Sequence, residues 1–348
     1  MKLFLSSVLT FAVAATFWGC NDILPSAPSA IDQPTDPELA VVVDSSRQFF
    51  RNYQRERVVS EGSAKTTAGN YSNFTDGTGT ISIGIWKSAG YGNHPIVQTT
   101  IDPDYVLVGG GANVDYGGGP GAMLTATYPV LSSTNPVTST LSTWEARSKD
   151  HLSVNPHWLY VYAVGMKLQG VSRQTVYNNM AVWIQNSTTT NHPSVTANVA
   201  AGYTCIGGGA FAHYTGAGQL LDGSYPSTTS YGWCASSRDH ITADPGYVTA
   251  YAVGIHENIP GFGSLRRNTP YVIGATSSGL QRITLNPTSG SVPTCPGAWA
   301  VVSTSGGWGR MLTELRLYGP QFAASSKDHL KVSSGYIWLR GVEIYKYQ

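Results

Sequence analysis

Apolar and polar positions alternate with a period of two along much of this chain. Three segments show it most clearly. In the first, Leu159, Val161 and Ala163 fall on one side and Trp158, Tyr160 and Tyr162 on the other. The second sets Val248, Ala250 and Ala252 against Tyr247, Thr249 and Tyr251, and the third sets Ile337, Leu339 and Gly341 against Tyr336, Trp338 and Arg340. This is the period of a β-strand with small aliphatics on one face and aromatics on the other. An aromatic outer face is too apolar to be left wet, so the pattern predicts that it packs against another sheet or another repeat. Tyr105–Val108 and Tyr203–Ile206 read as strands that run into Gly109-Gly110-Gly111-Ala112 and Gly207-Gly208-Gly209-Ala210. Glycines inside a strand predict a bulge or a close backbone approach. Neither run leads into Gly-Lys-Ser/Thr or a helix, which argues against a phosphate loop.

The strands belong to a larger repetition. Trp144-Glu-Ala-Arg-Ser-Lys-Asp-His151, Trp233-Cys-Ala-Ser-Ser-Arg-Asp-His240 and Phe322-Ala-Ala-Ser-Ser-Lys-Asp-His329 align without a gap. Their aspartates stand at 150, 239 and 328, two equal steps of 89 residues. Asn93-His94-Pro95 matches Asn191-His192-Pro193, and Tyr128-Pro129 matches Tyr225-Pro226. The third copy is eroded in its first half, where Asn286-Pro287 and Gly306-Gly307 are the nearest echoes. Such periodicity marks a repeat architecture. Each copy, about 75–85 residues, is too long for a β-trefoil or β-prism lobe and suits a small six-stranded sandwich. The expected fold class is therefore all-β, with three tandem related sandwich-like repeats at 81–168, 179–258 and 268–348. Residues 167–180 and 257–270 read as linkers.

Composition agrees. Charged residues are 12% of the 348, hydrophobic residues 41%, and Gly, Tyr and Trp number 39, 20 and 9. That profile argues against a coiled coil, a helical solenoid and a disordered chain. The formal net charge of +1 gives no electrostatic reason to bind nucleic acid or an anionic membrane. Lys2 followed by uncharged Leu3–Trp18 reads as a secretory signal, and Gly19-Cys20 resembles a bacterial lipoprotein processing site. The resemblance implies lipidation at Cys20, with ordinary cleavage near Ala14 as the alternative. The expected address is thus the outer membrane or cell surface, or secretion, with the membrane touched only through the lipid. Residues 21–80 form a tether and N-terminal segment, rich in Pro, Ser and Ala over 21–36. Arg47, Arg51, Arg55 and Arg57 within it read as a solvated helix face.

The repeated Ser-[Lys/Arg]-Asp-His ends a strand and precedes a turn. One reading makes it a ligand site. Asp150, Asp239 and Asp328 would accept sugar hydroxyls, His151, His240 and His329 would donate or accept, and Trp144, Trp233 and Phe322 would stack on the ligand. The other reading is that each Asp caps the turn, each His satisfies a neighbouring carbonyl and the aromatics fill the core. A single Asp-His pair is short of the three or four ligands zinc needs, although three pairs around an axis would supply more. The sequence calls for no metal and no cofactor, and it carries no Gly-x-Ser-x-Gly elbow or zinc helix. Cys205 and Cys234 occur together in one copy only, which predicts a local disulfide, with Cys295 free or pairing elsewhere.

The order of features in one repeat resembles the H-type lectin module. The matching elements are Pro95-Ile96-Val97 opening a strand, the Trp144 strand, and Tyr162-Ala163-Val164-Gly165 closing the unit. The resemblance implies a six-stranded sandwich that binds sugars, often as a trimer. The leading functional expectation is an exported protein that binds carbohydrate or another surface ligand through linked weak sites. The alternatives are a structural or adhesive surface subunit acting through protein contacts and, third, a secreted hydrolase in which one copy has become a catalytic centre. The oligomeric state is not fixed by the sequence.

Overall fold

The computed structural model describes residues 69–115, 119, 121–131, 141–228, 231–303 and 309–347. The signal segment, Cys20, residues 21–68 of the tether with its arginines, and Gly306-Gly307 lie outside the described residues. Those residues form an all-β protein of antiparallel sheets with one short helix. No described helix is long and apolar enough to cross a membrane.

The strand-rich alternation of the sequence becomes six strands in each repeat. The N-terminal edge strand β1 (Gly69–Thr75) leads into β2 (Ile81–Gly92), β3 (Ile96–Thr100), β4 (Val106–Asp115), β5 (Met123–Pro129), β6 (Thr143–Lys149) and β7 (His157–Leu168). After helix α1 (Arg173–Asn178) come β8 (Met180–Asn186), β9 (Ser194–Asn198), β10 (Tyr203–His213), β11 (Leu220–Pro226), β12 (Gly232–Arg238) and β13 (Tyr247–His256). The short strands β14 (Asn258–Ile259) and β15 (Gly263–Asn268) precede β16 (Tyr271–Ile273) and β17 (Gln281–Leu285). The chain continues through β18 (Val292–Cys295), β19 (Ala298–Val302), β20 (Met311–Tyr318), β21 (Gln321–Lys327), β22 (Gly335–Arg340) and β23 (Val342–Lys346).

Each repeat splits its six strands into two triplets that face each other. These are β2-β7-β4 over β3-β6-β5, β8-β13-β10 over β9-β12-β11, and β16-β22-β19 over β17-β21-β20. The triplets do not stop at the repeat. Each joins edge to edge with a triplet of another repeat, and this gives three mixed sheets. The joints have one register. Leu315 pairs Ala112, Thr127 pairs Ala210, and Ser224 pairs Ala298. Repeat 1 is thus joined to 3, 2 to 1 and 3 to 2, so the sheets close into a ring. Closure pairs edges that would otherwise offer unpaired backbone to another chain. One continuous apolar core runs through all three repeats.

The glycine runs behave as their sequence predicts. The ladder slips between Leu107 and Gly109, and again between Cys205 and Gly207. Gly109, Gly207 and Cys295 lie opposite Val164, Val253 and Val342, which are equivalent positions 89 residues apart. They meet inside the ring. A Cβ on Gly109 would stand 2.8 Å from that of Cys295, and one on Gly207 would stand 3.1 Å from it. The space admits one side chain, and repeat 3 supplies it.

Three expectations change. The register makes Gly297-Ala298, not Gly306-Gly307, the counterpart of Gly111-Ala112, because Ala298 and Ala112 lie opposite the equivalent Leu339 and Val161. It likewise makes Leu280 the counterpart of His94 and His192, since Arg282, Ile96 and Ser194 pair with the equivalent Ser325, Arg147 and Ser236. The segments read as linkers are ordered structure. Residues 167–180 contain α1, capped by the Ser172 side chain, and 257–268 form β14 and β15 of a fourth sheet, β14-β15-β23-β18.

Candidate functional site

The repeated Ser-[Lys/Arg]-Asp-His lies where the three repeats meet. The rings of His151, His240 and His329 form a triangle with centroids 5.3, 5.3 and 5.8 Å apart. All three rings are buried. His151 places Nε2 2.8 Å from the His240 carbonyl, and His240 places Nε2 2.7 Å from the His329 carbonyl. His151 also has Nδ1 3.1 Å from the Ala217 carbonyl, to which Lys149 Nζ donates as well. A neutral imidazole carries one N–H. One of the two carbonyl contacts of His151 is therefore an N–H donation. Burial first, then the charges of Lys149 and the other two histidines, hold the His151 ring well below its usual pKa.

The aspartates close the turns that follow. Asp150, Asp239 and Asp328 each accept a backbone N–H five residues on, from Asn155, Asp244 and Ser333, at 3.1–3.2 Å. His94 pairs with Asp150 and His192 with Asp239, at 3.2 Å in the second case. In repeat 3, where the histidine is replaced by Leu280, the backbone N–H of Gly279 donates to Asp328 instead. In two copies the basic residue of the motif links repeats, whereas Arg238 pairs with Asp222 of its own repeat at 2.6 Å. Lys149 reaches Ala217, and Lys327 reaches the carbonyls of Gly119 and Gly121. Burial lowers Lys149 to about 7 and Lys327 to about 8, against the opposing pull of nearby aspartates. The aspartates of the motif are therefore engaged in turn closure, and Lys149 and Lys327 in contacts between repeats. This arrangement supports the capping interpretation of Asp150, His151, Asp239, His240, Asp328 and His329.

The aromatic head of each motif is sealed between the triplets, with Trp144, Trp233 and Phe322 at 0% exposure. Trp144 Nε1 donates to Thr127 Oγ1 at 2.8 Å and Trp233 Nε1 to Ser224 Oγ at 3.0 Å. Phe322 has no N–H, and the counterpart of Thr127 and Ser224 is Leu315. Donor and acceptor are lost together, as a buried indole requires. Packing, rather than ligand stacking, accounts for the three rings. The predicted Cys205–Cys234 disulfide is not formed. Cys205 is a free thiol in the main core and donates to the Gly207 carbonyl, while Cys234 lies in a separate cluster with Tyr225 and Trp299 on another sheet. Cys295 is free and buried too, its thiol pushed up to about 12 by burial.

The surfaces open to a ligand are the outer faces of the sheets. On the seven-stranded sheet, β2 and β7 bring Tyr91 beside Trp158, centroids 5.3 Å apart, with Tyr160 stacked 6.3 Å beyond. Tyr91 is 60% exposed and Trp158 45%. In the β4–β7 register Asp115 lies opposite Trp158 and Asn113 opposite Tyr160, and paired residues share a face. Lys87 Nζ sits 4.2 Å from the Tyr160 ring centre. Further along, Arg316 lies over Tyr162 and donates to its hydroxyl. Glu314 binds both Arg316 and Arg282 at 2.7 Å. The expectation that the aromatic face packs against another sheet holds only in part. Tyr162 is covered by its own neighbours, whereas Tyr91 and Trp158 meet solvent.

The equivalent faces of the six-stranded sheets are largely covered by their own aromatics, although Tyr271 beside Trp338 is 61% exposed. On one, Tyr247, His213, Phe211, Tyr128 and Tyr251 stack in succession at 4.0–5.2 Å. Burial, aided by Arg147, pulls His213 down to about 4. On the other, Tyr225 and Trp299 are buried in a cluster with Trp338. Sequence reasoning identified Trp158 and Tyr160 as an aromatic face but missed Tyr91, Lys87, Asn113 and Asp115. These come from strands whose pairing the sequence does not print.

Among the described residues, no group of three or more His, Cys, Asp or Glu is placed to hold a metal ion. No family model matches this chain, and no curated protein matches it.

Proposed function

We propose that this is an exported, surface-held protein that binds carbohydrate through the outer face of its seven-stranded sheet. The observation that carries the reading is the row Tyr91–Trp158–Tyr160, with Tyr91 and Trp158 open to solvent, on the outer face of this sheet and bordered by Lys87, Asn113 and Asp115. Exposed ring faces stack on the C–H faces of a sugar, and the flanking amide, carboxylate and ammonium match its hydroxyls. The resemblance of the repeats to H-type lectin modules points the same way. A lipid on Cys20 and the tether would hold this face away from a membrane, and neither nucleic acid nor a cofactor enters the account. The test is a glycan array probed with the labelled full chain. Binding to a structurally related group of glycans is the expected result. Absence of binding at high protein density would remove the reading.

One observation favours the second reading, a subunit acting through protein contacts. The turns just past the histidine triangle expose Val154, Leu330 and Val332 by 60, 44 and 76%. Exposed apolar groups of this kind suit a protein partner or a second copy. Sedimentation tests the second copy. Self-association abolished by Val154→Ser with Val332→Ser would favour it, and a monomer at every concentration would count against it.

A further inference from the structure

A concave site lies between repeats 2 and 3, where the start of β10, β15 and the end of β22 pass the loop of the β11–β12 hairpin. The cleft has a volume of about 400 Å³, and its lining includes Arg267, Arg340, Tyr231, Ser227, Thr228 and Thr269. Three guanidinium groups, those of Arg266, Arg267 and Arg340, line the cleft together with the Glu257 carboxylate. Glu257 is taken by Arg266 at 2.7 Å, and among the described residues no carboxylate pairs with Arg267 or Arg340. Arg267 donates Nη1 to the Cys205 carbonyl and lies 4.8 Å from the centre of the Tyr231 ring, which fixes its plane. Arg340 donates Nη2 to Thr269 Oγ1 at 2.8 Å, while its Nε is buried without an acceptor. Burial and the neighbouring Arg267 charge both push the Arg340 pKa down. Arg267 and Arg340, two cations without a carboxylate partner on one cleft, favour an anion placed between them.

We propose that this cleft binds a small oxyanion, the carboxylate of an acidic sugar or a sulfate group, held between Arg267 and Arg340 with the Ser227, Thr228 and Thr269 hydroxyls beside it. Arginine matches such groups through paired N–H donors, and neutral hydroxyls complete the set. The site is separate from the aromatic face and does not depend on that reading.

Isothermal titration of the full chain with sodium sulfate, glucuronate and, as the uncharged control, glucose tests it. Ionic strength is held constant with chloride. Saturable binding of sulfate or glucuronate, none of glucose, and a loss of at least tenfold in Arg267→Gln are expected. Which of the two anions binds identifies the group. Arg340→Gln should lose the site as well. If that variant does not fold, Arg267→Gln together with the control Arg282→Gln, which lies outside the cleft and is expected to bind within twofold of the parent, still decides. No saturable binding of either anion, or equal binding by Arg267→Gln and the parent, overturns the proposal.

Discussion

At the scale of single residues, the interior shows pairs that change together. Trp144 with Thr127 and Trp233 with Ser224 satisfy a buried indole N–H, and Phe322 with Leu315 dispenses with both partners. Ser224→Ala should therefore cost about 1–3 kcal/mol, the penalty of an unsatisfied buried donor. Adding Trp233→Phe should cost less than the sum of the two single changes, as urea denaturation of all four proteins would measure. Lys149 makes a second prediction. Its pKa falls from 10.5 to about 7 on folding, so between those values the unfolded chain holds more protons than the folded one. Stability should then rise with pH across about 7–10. Lys327, lowered to about 8, adds to the rise above that pH. Below about pH 6.5 the buried His151 acts in the same sense, because protons bind the unfolded ring first, and stability falls as the pH drops. Denaturation midpoints at pH 7 and 9.5 should differ in the parent and differ less in Lys149→Met, where only the Lys327 contribution remains. An unchanged difference would contradict the assignment.

At the scale of elements, the same bulge recurs in the hairpin that each repeat lends to its neighbour, between Leu124 and Ala126, Leu221 and Gly223, and Leu312 and Glu314. The turn after each histidine recurs too. Leu152, Ile241 and Leu330 hold φ at 56, 64 and 50°, the left-handed region that disfavours branched side chains. At Ile241 and Leu330 the turn is closed by an amide two residues on, Thr242 N–H to the His240 carbonyl and Lys331 N–H to the His329 carbonyl. The aspartate and histidine contacts on either side force this geometry on residues that would not choose it. Leu330 is 44% exposed, so Leu330→Gly should relieve strain for a partial loss of packing. Its thermal midpoint should match or exceed that of the parent, whereas a glycine at an ordinary exposed strand position lowers it. A clear fall in Leu330→Gly would show that the turn is not strained. The strands and bulges were legible because period-two alternation and glycine runs are local signals. The α1 helix, β14 and β15 were not, because short elements in polar segments owe their form to the sheets they join.

At the scale of the whole molecule, the sequence repeats what lies inside and varies what lies outside. Ser-[Lys/Arg]-Asp-His recurs because it sits where three repeats meet, and each must present the same groups to the next. The ring itself was not legible. A spacing of 89 residues shows that units are alike, but their joints are two-residue ladders at alanines such as Ala112 and Ala210, with nothing in the side chains to mark them. The third copy misled for a related reason. Its entry to the Asp328 turn uses Gly279 and Leu280 in place of Asn-His, so only sheet register reveals the correspondence. The disulfide expectation failed because two cysteines close in sequence pattern occupy different sheets. Outside, Trp158 and Tyr160 on one sheet answer to Tyr247 and Thr249 on another and to Tyr336 and Trp338 on the third, where Tyr271 is exposed beside a largely covered Trp338 cluster, and the row of Tyr91 with Trp158 and Tyr160 is found on the first. The repeated residues therefore hold the scaffold, and a divergent face carries the proposed binding.

The most direct test separates these two roles in one comparison. A glycan identified on the array is titrated against the parent, Trp158→Ala and Asp239→Ala, with the thermal midpoint of each recorded. Trp158→Ala should lose at least tenfold in affinity with its midpoint almost unchanged, as expected for a partly exposed stacking ring. Asp239→Ala should lower the midpoint by several degrees and bind normally while folded. Affinity retained in Trp158→Ala but lost in folded Asp239→Ala would contradict the account and return the site to the repeated turns.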